Sequence, residues 1–382
     1  MDLDLTPEET AFRARARAWL AEHVPAAPLA PPETARGFAD HRTWERTLYE
    51  GRWSAVSWPC AYGGRGASPV ESLVFEEEYH AAGAPARISQ NGIALLAPTL
   101  LAHGTEEQRA RLLPPMARGG TVWAQAWSEP EAGSDLAALR SVAARTDGGW
   151  LLSGNKTWSS RAVFADRAFG LFRSHPGADR PHRGLTYALF PLGAPGVTVR
   201  PVGRLDGKPV FAEIFLDEVF VPDEDVVGEP GQGWRVAMST AGSERGTALR
   251  APGRFTAAAG RLVELWRSAA GSGPGDAALR DRVADAVIRA RAYRLYAYAQ
   301  ASRPDPPSGA EASLTKVFWS ELDLALHETA LDLLGADGEL VDADWAQGWL
   351  FALAGPVYAG TNEIQRDVIA ERLLGLPKGR RG

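Results

Sequence analysis

The chain has 382 residues, with 41 Lys plus Arg against 47 Asp plus Glu, a formal charge of −6 and one cysteine. A lone Cys60 excludes an internal disulfide and any multi-cysteine zinc or iron–sulfur site, and the mild acidity argues against a general nucleic-acid binder. The seven histidines show no i,i+4 pair and no HExxH, so any redox chemistry falls to an organic cofactor. No apolar run approaches the ~18 residues of a membrane span. The acidic start Met1-Asp-Leu-Asp-Leu5 does not resemble a signal peptide, so a cytoplasmic protein is expected.

Residues 1–120 read as helical. Thr6-Pro7-Glu8-Glu9 is a helix start: Thr6 caps, Pro7 suits the first turn and Glu9 bonds back to the cap. Phe12, Ala16 and Leu20 follow at four-residue spacing. A Gly/Pro-rich break runs from Trp58-Pro59 to Gly66, and Val70–His80 forms a further helix. Thr105-Glu-Glu-Gln108 opens another, expected to end near Pro114-Pro115.

Between residues 121 and 228 the character changes to short apolar or alternating runs: Val122–Trp127, Trp150–Leu152, Phe169–Arg173, Leu185–Phe190, Val197–Val202 and Val210–Leu216. Asp147-Gly148-Gly149 and Pro195-Gly196 punctuate them. This predicts an antiparallel β-domain. Helical patterning returns at Gln232 and fills residues 229–382. Ala277–Gln300 is predicted as a long helix with Val283, Val287, Ala290 and Leu295 among its apolar positions. Breaks at Gly271–Gly275 and Pro304–Gly309 separate helices, and Thr361–Leu374 is a last helix stopped by Gly375. The expected fold is a multi-domain α+β chain, helical, then β, then helical. No GxGxxG follows a strand and no GxSxG occurs. Gly203–Lys208 is one residue short of a P-loop.

Three segments carry candidate chemistry. In Trp127-Ser128-Glu129-Pro130-Glu131-Ala132-Gly133-Ser134-Asp135, Gly133 permits close backbone approach, and Ser134 with exposed N–H groups suits an anion; a solvated turn between strands accounts for the same residues. In Gly154-Asn155-Lys156-Thr157-Trp158-Ser159-Ser160, a Trp followed by two hydroxyls suits a flat heteroaromatic ring, and equally a core Trp. In Tyr358-Ala359-Gly360-Thr361-Asn362-Glu363-Ile364-Gln365-Arg366, Thr361 caps a helix whose N-terminus favours anions. Together they suit a dinucleotide lying extended.

These three stretches, in this order and at this spacing, resemble the acyl-CoA dehydrogenases over essentially the whole chain. The resemblance implies an N-terminal α-helical domain, a middle β-domain, a C-terminal four-helix-type bundle and an FAD against the β-domain. By matched position, Trp127 and Ser128 would meet the flavin ring, Gly133 and Ser134 the pyrophosphate, and Trp158 and Ser160 the other side of the ring. Thr361 and Glu363 would lie near the cofactor. The implied reaction removes the α-proton of an acyl thioester, on CoA or a carrier protein, while the β-hydrogen leaves as hydride to flavin N5. Electrons would pass to an electron-transfer flavoprotein, in fatty acid or lipid metabolism.

The base that most members carry just before the Gly-Thr of the last motif is Ala359 here, which cannot take a proton. In the isovaleryl type the Glu sits on an earlier helix before an Arg. That position is Glu244, in Ser243-Glu244-Arg245-Gly246, with Arg245 expected to order the helix. The Arg-x-Thr-Phe-Gly run that reaches a neighbouring subunit's FAD is missing near Gly271–Arg282, and Asp332 and Gly335-Ala336 replace another partner-subunit contact. A homo-oligomer (dimer or tetramer) and a heterotetramer with a non-catalytic partner are both open, as are a flavin oxidase or monooxygenase on the same fold and an inactive FAD-binding subunit. Cys60 lies outside every motif and is expected to be buried or neutral.

Overall fold

The computed structural model describes residues 4–245, 251–270, 277–304, 309–340 and 343–378. The helices and strands are, in chain order, α1 Pro7–His23, α2 Ala35–Glu50, α3 Pro69–Ala81, α4 Ala97–His103, α5 Glu106–Ala117, β1 Trp123–Ala126, β2 Val142–Thr146, β3 Gly149–Lys156, β4 Arg167–Arg173, β5 Leu185–Pro191, β6 Val197–Val202, β7 Phe211–Pro222 and β8 Val226–Val227. Then come α6 Gly233–Arg245, α7 Pro252–Ala270, α8 Ala277–Ala301, α9 Gly309–Leu334, α10 Asp344–Ala352 and α11 Asn362–Val368. Contacts divide the chain into two compact units. One comprises 1–24, 67–84 and 245–382; the other comprises 25–66 and 85–244.

The second unit holds the sheet, in strand order β6-β7-β3-β2-β4-β5-β8, with β1 beside β4. It is mostly antiparallel, as expected, but β1–β4 and the short β2–β4 contact are parallel. The Asp147-Gly148 turn closes the β2–β3 hairpin, with Thr146 opposite Gly149 and Gly148 at φ 70°, a left-handed backbone that glycine adopts without steric cost. Strand β2 is absent from the sequence reading: of its residues only Ala143 is buried, so no apolar alternation marks it. Ala126, Leu152, Phe172, Phe190, Ile214 and Val219 form the core.

Helix α5 has the expected reciprocal cap, Gln108 N–H to Thr105 Oγ1 at 3.2 Å and Thr105 N–H to Gln108 Oε1 at 3.0 Å. It does not stop at Pro114-Pro115 but runs through both to Ala117. The two prolines remove only two donors, and Leu112, Leu113 and Met116 bury their side chains across the break, so packing overrides the local cost. Gln108 also ties α5 to the sheet edge, donating to Glu224 O at 2.9 Å and Val226 O at 2.7 Å. Cys60 is exposed, correcting the expectation of burial; it follows Pro59 on a short turn, Cys60–Tyr62, inside the Gly/Pro-rich break.

In the first unit α1 packs on α3 and α3 on α7. The Thr6–Glu9 cap forms as expected, and Phe12, Ala16 and Leu20 are buried. Arg13 and Arg17 leave that seam to reach α3: Arg13 Nη2 lies 2.7 Å from Glu77 Oε2, and Arg17 Nε 2.8 Å from Glu78 Oε2. Gly253 admits the close approach of α3, because a Cβ there would stand 2.7 Å from Glu77 Cα. Helices α7, α8 and α9 surround Phe255, Leu262, Tyr293, Trp319, Leu322 and Leu326. On α8 the buried seam is Val283, Ala286, Ala290, Tyr293 and Ala297, while Leu295 is 44 % exposed; the 3.6-residue period turns Leu295 away from the partner helices. Asp332 pairs with Arg282 within the unit at 2.5 Å. The breaks at 271–275 and 305–308 lie outside the described residues. No described helix is long and apolar enough to cross a membrane.

Candidate functional site

Strand β1 ends at Ala126 and delivers Trp127 and Ser128 to a turn. The turn is fastened from below. Glu129 is buried and accepts from the N–H groups of Arg140 at 2.6 Å and Ser141 at 2.9 Å, and its Oε1 meets Lys156 Nζ at 2.7 Å. Lys156, wholly buried at the end of β3, also donates to Leu171 O at 2.7 Å. Burial pulls its ammonium down to about 8 against the attraction of Glu129. For Glu129 burial pushes upward, but Lys156 and the two N–H donors outweigh it and hold the carboxyl below its usual range. Thr157 N–H donates to Ser128 O at 2.8 Å. The first two sequence motifs therefore lie side by side, and Glu129 and Lys156 belong to them as their structural link.

Gly154 is required by the fold. It has φ 145°, and a Cβ would stand 2.2 Å from Ser141 Oγ, at a β-bulge in the β3–β7 ladder. Gly133 is different: it is exposed, and a Cβ there meets no atom within 4 Å, so the chain's own packing does not require glycine. Ser134 beside it is exposed. Trp158 has φ 58°, is 60 % exposed and meets Phe211 edge-on at 5.8 Å. A bulky residue in left-handed backbone is strained, and here the strain presents an indole face to solvent. Ser160 is half-buried. The buried polar atoms of this region with no hydrogen-bond partner among the described residues include Trp127 Nε1 and Ser159 Oγ, with Asn155 Oδ1 and Ser141 Oγ beside them. An exposed flat ring, unpartnered donors and an open Gly-Ser turn together fit a heteroaromatic ring with an anionic tail.

Glu244 lies half-buried near the end of α6. One turn earlier Thr240 bonds Thr99 of α4, Oγ1 to Oγ1 at 2.7 Å. This joins the Ser89–Leu101 region to the α6 helix through a π-helical turn, Asn91–Leu96, that runs into α4. Tyr187 of β5 completes the contact. Its ring meets Trp127 edge-on at 6.4 Å and stacks on Phe169 at 5.9 Å. Its hydroxyl is held protonated by burial, and the charge of Glu244 adds to this. The Tyr187 hydroxyl lies 3.4 Å from Thr240 Oγ1, one helical turn before Glu244 on α6. Tyr187, Thr99 and Thr240 are absent from the sequence reading. The one local signal is a lone phenol inside the apolar run Leu185–Phe190. The side chain of Arg245 and residue Gly246 lie outside the described residues.

Thr361 and Glu363 belong to the other unit. Thr361 caps α11 as expected, its Oγ1 accepting from Ile364 N–H at 3.3 Å. Glu363 is exposed, and its own N–H and the Thr361 hydroxyl hold its carboxyl below the usual range. The cap stands on a left-handed pair, Ala359 at φ 57° and Gly360 at φ 84°. Buried Asn362 accepts from Lys316 Nζ at 2.8 Å and from Ser320 Oγ at 3.1 Å, anchoring the motif to α9.

Models of the N-terminal, middle and C-terminal domains of acyl-CoA dehydrogenases match residues 6–120, 124–219 and 231–374. The chain belongs to the acyl-CoA dehydrogenase family. It is an oxidoreductase flavoenzyme by that membership, with the family's three-domain fold, helical, sheet and helical, and the family is FAD-dependent. It is 37 % identical to acyl-CoA dehydrogenase IpdE1 of Mycobacterium tuberculosis, over 97 % of this chain and 98 % of the relative. Among solved structures it is similar to the Tcur3481-Tcur3483 steroid ACAD, with a TM-score of 0.85, 28 % identity and coverage of 99 % of this chain and 100 % of that one. The ChsE4-ChsE5 complex from Mycobacterium tuberculosis matches with a TM-score of 0.83, 29 % identity and the same coverage.

Proposed function

We propose that the chain binds FAD and dehydrogenates an acyl thioester across its α,β bond, with Glu244 as the base that takes the α-proton. The observation that carries this reading is the link from the matched motif to α6: the Tyr187 ring meets Trp127 edge-on, and its hydroxyl lies 3.4 Å from Thr240 Oγ1, one turn before Glu244. Trp127, Ser128, Trp158 and Ser160 hold the flavin ring, Gly133 and Ser134 its phosphates, and Thr361 and Glu363 a further part of the cofactor. Bound FAD supplies the hydride acceptor; the chain supplies orientation, a dry wall and the base. Ala359 has no proton-accepting group, so a carboxylate elsewhere must do this work. Domain divisions after residues 120 and 228, CoA or a carrier protein as the thiol, an electron-transfer flavoprotein as acceptor and a cytoplasmic location belong to the same proposal.

A second reading makes the chain one subunit of a heteromeric dehydrogenase acting on a bulky acyl group. It is favoured by Ala359 and by the likeness to a steroid dehydrogenase and to the ChsE4-ChsE5 complex. One experiment addresses both. The purified protein is titrated anaerobically with acyl-CoA thioesters of increasing size while the flavin absorbance is followed. Glu244→Gln is expected to keep the flavin spectrum and lose bleaching. Full bleaching by that variant rejects Glu244 as the base. No bleaching by the wild-type chain until a second subunit is added supports the heteromer. Rapid reoxidation of the reduced protein by O₂ would turn the assignment toward an oxidase.

A further inference from the structure

Three hydroxyls with no exposed surface join α4, β5 and α6. Thr99 Oγ1 and Thr240 Oγ1 are 2.7 Å apart, and the Tyr187 hydroxyl lies 3.4 Å from Thr240 Oγ1. A buried hydroxyl left without a partner costs about 1–3 kcal/mol, so the chain of donors needs an end. Leu95 O provides it, accepting from Thr99 Oγ1 at 2.8 Å. Donation from Tyr187 to Thr240, from Thr240 to Thr99 and from Thr99 to Leu95 uses each proton once. Val236 O, 3.2 Å from Thr240 Oγ1, is a second acceptor for the central hydroxyl.

The position of this chain matters more than its strength. Thr240 and Glu244 are four residues apart on α6, so they share one face of the helix. Whatever fixes Thr240 therefore fixes the turn that carries Glu244. Tyr187 meets the chain with its hydroxyl and meets Trp127 and Phe169 with its ring. The stack with Phe169, at an interplanar angle of 6°, fixes the plane of the phenol ring against its neighbour on β4. Tyr187, with no exposed surface, thus links the Trp127 ring to the helical turn that precedes Glu244. Packing alone would be served as well by Val at 99 and 240 and Phe at 187, which would bury no hydroxyl.

We propose that Thr99, Thr240 and Tyr187 are positioning residues for Glu244, holding α6 against α4 and β5 so that the carboxylate stands at a fixed distance from the Trp127 face. The proposal rests on the reading of Glu244 as the base. A base displaced by about 1 Å loses on the order of 100-fold in rate without losing substrate, and that separation of effects distinguishes positioning from simple structural support.

The test compares Thr240→Val, Thr240→Ser, Tyr187→Phe and Glu244→Gln, each purified with its flavin. Turnover is measured with the thioester that bleaches the wild type best, and affinity by calorimetry with its non-oxidisable thioether analogue. Thr240→Val and Tyr187→Phe are expected to lose roughly 10- to 100-fold in kcat with the analogue's Kd within about threefold of wild type. Thr240→Ser, which keeps the hydroxyl, is expected to recover most of the rate. Wild-type kcat in both Thr240→Val and Tyr187→Phe, with Glu244→Gln inert, overturns the positioning role and leaves the base in place. Turnover by Glu244→Gln overturns the base and the positioning role together. Loss of rate and analogue binding in parallel overturns positioning in favour of a general packing defect. If Thr240→Val does not fold, Tyr187→Phe, which removes one oxygen, carries the test.

Discussion

The Lys156 ammonium lies 2.7 Å from Oε1 of Glu129, with both side chains buried. One residue belongs to the Ser128–Asp135 motif and the other to the Gly154–Ser160 motif, so the pair joins two loops that the sequence separates. Removing one partner of such a pair leaves an uncompensated buried charge, at a cost of about 3–5 kcal/mol. Lys156→Met is therefore expected to lower stability by that amount in urea denaturation of the apoprotein. The double variant Lys156→Met/Glu129→Gln should recover part of the loss, because Gln is neutral and its oxygen still accepts an N–H from Arg140 or Ser141. A single variant as stable as wild type would show that the link contributes nothing.

Much of this arrangement was legible in the sequence wherever the cause is local. The caps at Thr6, Thr105 and Thr361 follow from hydrogen bonds spanning three residues, and all three form. Strands with apolar runs were legible for the same reason. Strand β2 was not, because Val142-Ala-Ala-Arg-Thr146 gains its place by pairing with β3 and not by burying alternate side chains. The passage of α5 through Pro114 and Pro115 depends on what Leu112, Leu113 and Met116 pack against. In the candidate site the motif residues declared themselves by type and spacing. Tyr187, Thr99 and Thr240 did not, since they come from three separate elements that only the tertiary fold brings together.

His80 gives the protein an acid-side dependence with a definite sign. Burial, with the charges of Arg254 and Arg261 adding, lowers its pKa from 6.5 to about 4. Between those values the unfolded chain binds more protons than the folded one, so stability falls as pH drops from about 6.5 toward 4 and is unaffected by this group above that window. At about 1.4 kcal/mol per unit the loss is bounded near 3 kcal/mol, and a side chain 33 % exposed, with Glu76 3.7 Å away, realises less. His80→Asn should flatten the slope of unfolding free energy against pH in this window. Parallel slopes in variant and wild type would exclude His80 as its source.

Ala359 has φ 57° immediately before Gly360 at φ 84°. An L-residue there carries roughly 1–2 kcal/mol of backbone strain, partly offset by the greater chain entropy that Gly would lose on folding. Ala359→Gly is expected to stabilise the protein by about 0.5–1 kcal/mol, seen as a rise in the denaturant midpoint with unchanged slope. A fall in the midpoint would mean that the Ala359 methyl group makes contacts worth more than the strain it brings.

Trp158 separates binding from folding. With 60 % of its surface exposed, its indole adds little to the packed interior. Trp158→Ala should therefore change the stability of the apoprotein by no more than about 1 kcal/mol. An indole stacked on a flat heteroaromatic ligand contributes about 0.5–1.5 kcal/mol beyond the area it covers, and covering one face of a ring also removes water from it. The variant is expected to hold FAD at least tenfold more weakly, measured by equilibrium dialysis of the reconstituted apoprotein. Phe at the same position keeps a flat face and should restore most of the affinity. If Trp158→Ala unfolds more easily and binds FAD as tightly as wild type, the indole serves the β-domain and the strained backbone at residue 158 needs another explanation.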